Sequence, residues 1–259
     1  MERRQGIQHF LDRTSAKYNT PEIRNISFNT EDRGNENTNA KQYSMCYNKN
    51  IPELEKYCGV DWVFYHWPSA SIRSFETTRD EIIAASSQPP TIDKVGWFGN
   101  IYSPLRDVPE YKTRPLLKQI GDANPHLFDI QHISPHHGVI DSRIPNYTSL
   151  TDLIKYSSLI DIGGNGYSGR LKFLLYSKRP LLLVDRNYIE FFHNDLQPYV
   201  HYIPVRMDLS DLLDQVTWMK NNPQQCRDIA QHAFEYATAH FTEDRLLDRV
   251  YSVYQALLK

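Results

Sequence analysis

The chain has 259 residues, room for one large α/β domain or two small ones, and its 40% hydrophobic and 23% charged content argues against disorder as a description of the whole. A formal net charge of −2 gives no basic excess to neutralise a nucleic-acid backbone, so nucleic acid is not an expected partner. No segment approaches the length of an apolar membrane span, and the opening MERRQGIQHFLDR lacks the apolar run of a secretory signal. With cysteines only at 46, 58 and 226, widely spaced, the expected setting is the reducing cytoplasm, with at most peripheral attachment to the cytoplasmic face of a membrane.

In chain order, the opening residues are polar, and the Asn-rich NTEDRGNENTNAKQ reads as a loop. Short apolar runs flank it, Ile23 to Phe28 and Tyr43 to Tyr47, and are read as two strands of a small N-terminal domain. VDWVFYHWP, from Val60 to Pro68, is a third strand candidate that Pro68 ends. A helix is expected over Arg79 to Ala85. SSQPPT, from Ser86 to Thr91, then interrupts regular structure, because neither proline can donate to a ladder. Beyond that boundary the pattern alternates: strand at Val95 to Phe98, helix at Arg114 to Ile120, strand at Leu127 to Ile133, and a helix capped by Thr148 or Ser149. A strand at Ser158 to Ile162, a helix at Ser168 to Tyr176, and strands at Leu181 to Val184 and His201 to Val205 follow. Apolar residues at helical spacing, such as Leu209, Leu212, Leu213, Val216 and Met219, then mark the first of three closing helices. Alternating strands and helices predict an α/β fold with a parallel, doubly wound sheet. The expected division is residues 1–90 as an acceptor-side domain, 91–240 as a nucleotide-sugar-binding domain, and 241–259 as a helix that packs back on the N-terminal part.

The most informative stretch is SLIDIGGNGYSGRLKFLLYSKRPLLLVD, from Ser158 to Asp185. An apolar strand runs into Gly163-Gly164-Asn165-Gly166 and then toward a helix beginning near Ser168. Such a turn lets backbone N–H groups approach an anion, a helix N-terminus adds partial positive charge, and Arg170 can contact the same phosphate. A tight turn whose glycines serve only close packing is the alternative, and the turn alone leaves the two open. The pattern fails the G-x-G-x-x-G dinucleotide fingerprint, which disfavours hydride transfer.

Several motifs then occur in order over the C-terminal half: S-x-R-x-K at Ser168 to Lys172, E-F-F at Glu190 to Phe192, P-x-V-H-Y-I-P-V at Pro198 to Val205, and D-L-S-D-L at Asp208 to Leu212. On these the chain resembles the family 90 glycosyltransferases, the capsule-associated and lipopolysaccharide-modifying group that includes the animal protein O-glucosyltransferases and fungal capsule xylosyltransferases. Upstream, VGWFGNIYSP with Arg114 resembles another element of the family, with Phe98 standing where an arginine is usual. ISFNTEDR resembles the family strand that ends in a catalytic aspartate, which falls on Asp32.

The resemblance implies a GT-B arrangement, two Rossmann-like domains facing a cleft, and inverting transfer of glucose or xylose from a UDP-sugar without an essential metal ion or other cofactor. It places Asp32 as general base, with Asp61 as runner-up. Donor contacts fall on Gly99, Asn100, Ser103, Arg114, Gly164, Asn165, Gly166, Tyr167, Ser168, Gly169 and Arg170, with Glu190 on the ribose hydroxyls. His66 and Trp67, at the end of the Val60 to Pro68 strand, are acceptor-side candidates, and the expected acceptor is a carbohydrate or glycolipid. No D-x-D element occurs; Asp141 and Asp161 stand alone. His132, His136 and His137, with Asp129, read as a polar loop rather than a metal site. Two other functions stay open: a non-catalytic nucleotide-sugar or glycan-binding module, and an S-adenosylmethionine-dependent methyltransferase, for which Asp185 at a strand end is suitable.

Overall fold

The computed structural model describes residues 1–36, 41–102 and 109–259. The elements open with α1 (Glu2–Tyr18), β1 (Tyr47–Asn48), α2 (Phe75–Ser86), β2 (Ile92–Gly99), α3 (Pro109–Ala123) and β3 (Phe128–His132). They continue with α4 (Leu150–Leu153), β4 (Tyr156–Asp161), α5 (Leu171–Leu174), β5 (Leu181–Val184), β6 (Tyr188–Ile189) and β7 (Ile203–Val205). Three helices close the chain: α6 (Leu212–Asn221), α7 (Pro223–His240) and α8 (Glu243–Leu257).

Five strands form one sheet in the order β3-β2-β4-β5-β7, and every neighbouring pair is parallel. Side chains alternate between its two faces. Ile160, Ile162, Leu182 and Val184 pack with Leu117 of α3 and with Leu212 and Val216 of α6. Leu159, Leu181 and Leu183 turn the other way, toward Phe173 of α5 and Phe75 and Ile82 of α2. Both faces are thus covered, which is why β5 reads as an unbroken apolar run. The expected α/β, doubly wound sheet is present. From β2 the chain steps outward to β3, then returns to β4 and proceeds the opposite way. In sheets of this kind ligands bind at the carboxyl ends of the strands where the order reverses, here β2 and β4.

The second Rossmann-like domain expected within residues 1–90 is not found among the described residues. Regular strand there is limited to β1, which pairs antiparallel with β6, and isolated bridges join Phe28 to Tyr43 and Ser44 to Cys58. The expected strand at Val60 to Pro68 instead contains a 3₁₀ turn at Trp62–Phe64, because the Asp61 side chain accepts the Val63 N–H and draws the backbone out of extension. The opening residues, read only as polar, form α1, which buries Ile7, Phe10, Leu11 and Thr14. Their i, i+3, i+4, i+7 spacing is the helical stripe in its plainest form. α1 lies on α8, with Lys17 Nζ 2.6 Å from Asp244 Oδ1 and Tyr18 stacked on Tyr251 at 3.9 Å. Ile7, Val60, Phe64, Phe173, Leu174 and Val250 share one apolar cluster, so the N-terminal part rests directly on the helical cover of the sheet.

Candidate active site

The site is built where the topology places it. Strand β2 delivers Trp97, buried to 1% exposure, and then Gly99 and Asn100. From α3, Arg114 donates through Nε to the Gly163 carbonyl at 2.8 Å and through Nη1 to the Asn100 carbonyl at 2.9 Å, tying together the chain segments that leave β2 and β4. Arg170 reaches back to donate to the Phe98 carbonyl. The guanidinium carbons of Arg114 and Arg170 lie 5.6 and 5.2 Å from the Trp97 ring centroid, so one indole supports both cations. Burial, and then the neighbouring Arg170, push the Arg114 guanidinium down to about 9. Burial likewise lowers Arg170. Two desolvated guanidiniums side by side gain from an anion placed between them.

At the end of β4, Asp161 is fully buried and organises the turn beyond it. It accepts from Ser168 Oγ at 2.8 Å and from Arg186 Nη2 at 2.8 Å, and its Oδ1 lies 4.0 Å from Arg170 Nε. The helix expected from Ser168 begins only at Leu171 and lasts four residues, because Ser168 and Arg170 are turned toward Asp161 and Phe98. So short a helix aligns too few peptide dipoles to supply much charge, and the arginine side chains carry the positive field at the turn.

The N-terminal part meets this turn directly. A Cβ on Gly166 would run into the Asp32 carbonyl oxygen, so only glycine lets the Asp32 loop sit on the turn. That same carbonyl accepts a hydrogen bond from Cys46 Sγ at 3.1 Å. Asp32 Oδ1 pairs with Arg3 Nη1 at 2.7 Å, and Asn165 Nδ2 donates to Asp32 Oδ2 at 3.4 Å. On the other side of the turn, Gly169 lies against Trp67, where an added Cβ would stand 3.0 Å from the indole.

A cavity of about 260 Å³ opens between these groups. Asp32, Trp67, Gly99, Asn100 and Arg114 line it, together with Gly164, Asn165, Tyr167, Ser168, Gly169 and Arg170. Trp62, Val63, Ala70, Ile72, Ile140 and Tyr147 give the rest of its wall an apolar character. Gly166 lies beneath the Asp32 loop and lines a smaller cavity of about 20 Å³ on the far side of the turn, beside Arg33, Asp185 and Arg186.

Three expected site residues, Glu190, Asp61 and His66, do not line the cavity. Glu190 is fully buried with its Oε1 2.8 Å from Lys172 Nζ, so it presents no surface to a ribose. Asp61, the alternative base, is also fully buried, caps the 62–64 turn and pairs with Lys172 Nζ at 2.8 Å, beyond reach of an acceptor. His66 points to α1, with Nε2 3.3 Å from the Glu2 carbonyl, and does not line the cavity. Ser103 lies outside the described residues.

In the closed Asp61–Lys172–Glu190 cluster two carboxylates face one ammonium. Burial and the Asp61 charge, opposed by Lys172, push the Glu190 carboxyl up to about 8. Lys172 Nζ also donates to the Gly169 carbonyl at 3.2 Å, so the cluster joins the 62–64 turn to the segment that follows the glycine turn. His132 Nδ1 accepts from the Ile101 N–H at 3.3 Å and its Nε2 meets Ser134 Oγ at 2.8 Å, a loop role. Among the described residues no three His, Cys, Asp or Glu side chains converge as metal ligands.

Sequence reasoning missed Trp97, Asp161 and Arg3 as parts of the site. Asp161 carried a signal, a carboxylate ending an apolar strand immediately before the glycine turn. Arg3 carried none, since a polar N-terminus gave no reason to look there.

Residues 5–259 match the model of a family described as glycosyl transferase family 90. Protein O-glucosyltransferase 2 of Danio rerio is 35% identical over 109 residues, covering 42% of this chain and 22% of that protein. Protein O-glucosyltransferase 1 of Rattus norvegicus is 26% identical over 198 residues, covering 71% of this chain and 48% of that protein. Uncharacterized protein 035R of Invertebrate iridescent virus 3 is 28% identical over 150 residues, covering 52% of this chain and 14% of that protein. The chain thus spans less than half the length of these relatives. Among solved structures, Anabaena HepE in complex with UDP-glucose aligns with a TM-score of 0.41 and 10% identity, over 68% of this chain and 44% of that one. With nearly its whole length matched, the chain belongs to glycosyl transferase family 90.

Proposed function

We propose that this chain transfers a sugar, glucose or xylose, from a UDP-sugar to a hydroxyl of a glycan or glycolipid acceptor, with inversion and without an essential metal ion. One observation carries the reading: Asp32 and residues of the donor turn, Gly164, Asn165 and Tyr167 to Arg170, stand in the walls of a single cavity. The donor diphosphate lies against the turn, facing Arg114 and Arg170. Asp32 takes the proton from the acceptor hydroxyl as its oxygen forms the bond to the anomeric carbon. The bond from that carbon to the phosphate oxygen breaks, and UDP leaves with the electron pair, stabilised by the two guanidiniums. Trp67 and the apolar wall around it suit the flat, partly apolar face of a sugar ring. In this reading residues 91–240 are the donor-binding side of a GT-B arrangement and residues 1–90 supply the acceptor side. The three free cysteines accord with a reducing, cytoplasmic setting.

A thermal-shift panel of UDP, UDP-glucose, UDP-xylose, UDP-galactose, GDP-mannose and S-adenosylmethionine, with and without EDTA, tests the donor side. Stabilisation by UDP and one UDP-sugar that survives EDTA supports the reading. Stabilisation by S-adenosylmethionine alone would overturn it. Arg170→Ala is expected to weaken UDP by about 10–100-fold, the worth of one or two charge-assisted hydrogen bonds.

A further inference from the structure

Asp32 is held in two separable ways. Its backbone is anchored by the contact with Gly166 and by the Cys46 hydrogen bond. Within the same loop, Asn29 Nδ2 donates to the Gly34 carbonyl at 2.9 Å, which closes the turn independently of the side chain. The carboxylate is held by a different residue: Arg3 Nη1 lies 2.6 Å from the Thr30 carbonyl and 2.7 Å from Asp32 Oδ1. Arg3 comes from the first turn of α1, lines the cavity, and has its guanidinium carbon 5.8 Å from the Trp62 ring centroid. The remaining carboxylate oxygen faces the Asn165 amide of the donor turn.

We propose that Arg3 is a positioning residue for the general base: it fixes one oxygen of Asp32 so that the other is presented between the donor turn and the acceptor wall. The inference rests on the proposed role of Asp32. An aspartate has two rotatable side-chain bonds, and an anchored backbone alone leaves several carboxylate orientations open. A nitrogen shared between the Thr30 carbonyl and Oδ1 selects one of them. Burial pulls the Arg3 guanidinium down, and Asp32 together with Tyr167 and Asp61 raises it again, so the cation stays charged. The pair is only half-buried and within reach of solvent, so it adds little to folding. Its effect belongs to turnover.

The test measures UDP release from the preferred UDP-sugar, with steady-state kcat and donor KM, in Arg3→Gln, Arg3→Lys, Asp32→Asn and the Arg3→Gln/Asp32→Asn double variant. Arg3→Gln is expected to lower kcat by about 10–100-fold, the cost of misplacing a reacting group by around an ångström. Donor KM and melting temperature stay unchanged. Arg3→Lys, or added guanidinium ion with Arg3→Gln, restores part of the rate. On the Asp32→Asn background the Arg3 change has no further effect. Should Arg3→Gln match wild type while Asp32→Asn is inactive, or should the two losses multiply, Arg3 does not act through Asp32 and the inference fails. Full turnover in Asp32→Asn would instead remove the general-base reading on which it rests.

Discussion

At the scale of single residues, two carboxylates that look alike in sequence have opposite fates. Asp32 is about one-third exposed and lines the cavity, while Asp61 is closed off behind Lys172. Asp32→Asn is therefore expected to cut turnover by about 10²–10⁴-fold with UDP affinity intact, as calorimetry and initial rates will report. Gly166→Ala places a methyl group into the Asp32 carbonyl, so it should displace base and donor turn together and cost both UDP affinity and rate. Glu190 gives a pH signature. Its carboxyl is pushed from an ordinary 4.5 to about 8, first by burial. A carboxyl raised on folding contributes stability that is complete below its unfolded value and lost as pH climbs through the folded one. Glu190→Gln cannot ionise, so its unfolding free energy, measured by urea titration, should rise relative to wild type between pH 4.5 and 8, with a slope of at most about 1.4 kcal/mol per pH unit. A difference that does not vary with pH would contradict the shifted carboxyl.

At the scale of elements, the five-stranded sheet was legible because most of its strands are short apolar segments, and Leu181–Val184 matches its expected limits to the residue, whereas the two-residue β6 was not expected. The helix after the glycine turn was overread. Ser168 to Tyr176 has helical composition, but Asp161 and the Phe98 carbonyl compete for the side chains that would open it. Strand propensity misled at Val60 to Pro68, where aromatic and β-branched residues suggest extension and one local Asp61 hydrogen bond overrides them. α1 was concealed by its polar average, although its buried stripe is regular. Leu11, fully buried on that stripe, should cost about 2–5 kcal/mol on replacement by alanine, measured by urea unfolding. Loss of only a few tenths would mean that α1 does not belong to the core.

At the scale of the whole molecule, the glycine turn with Ser168 and Arg170 stood out because these residues lie within one stretch of chain. The partners of that turn did not, because Arg3, Asp32 and Trp67 arrive from far away in sequence and only packing brings them together. The expected large and small pair of Rossmann-like domains gives way, over the described residues, to one parallel sheet with an irregular N-terminal part laid across its switch point. Family membership and geometry meet in one claim: a donor turn and a general base share one cavity. The measurement that tests it most directly pairs UDP calorimetry with UDP-sugar turnover for wild type and Asp32→Asn. Equal UDP affinity with turnover lost only in the variant is the predicted result. Equal turnover in both proteins, or no UDP binding by either, would contradict it.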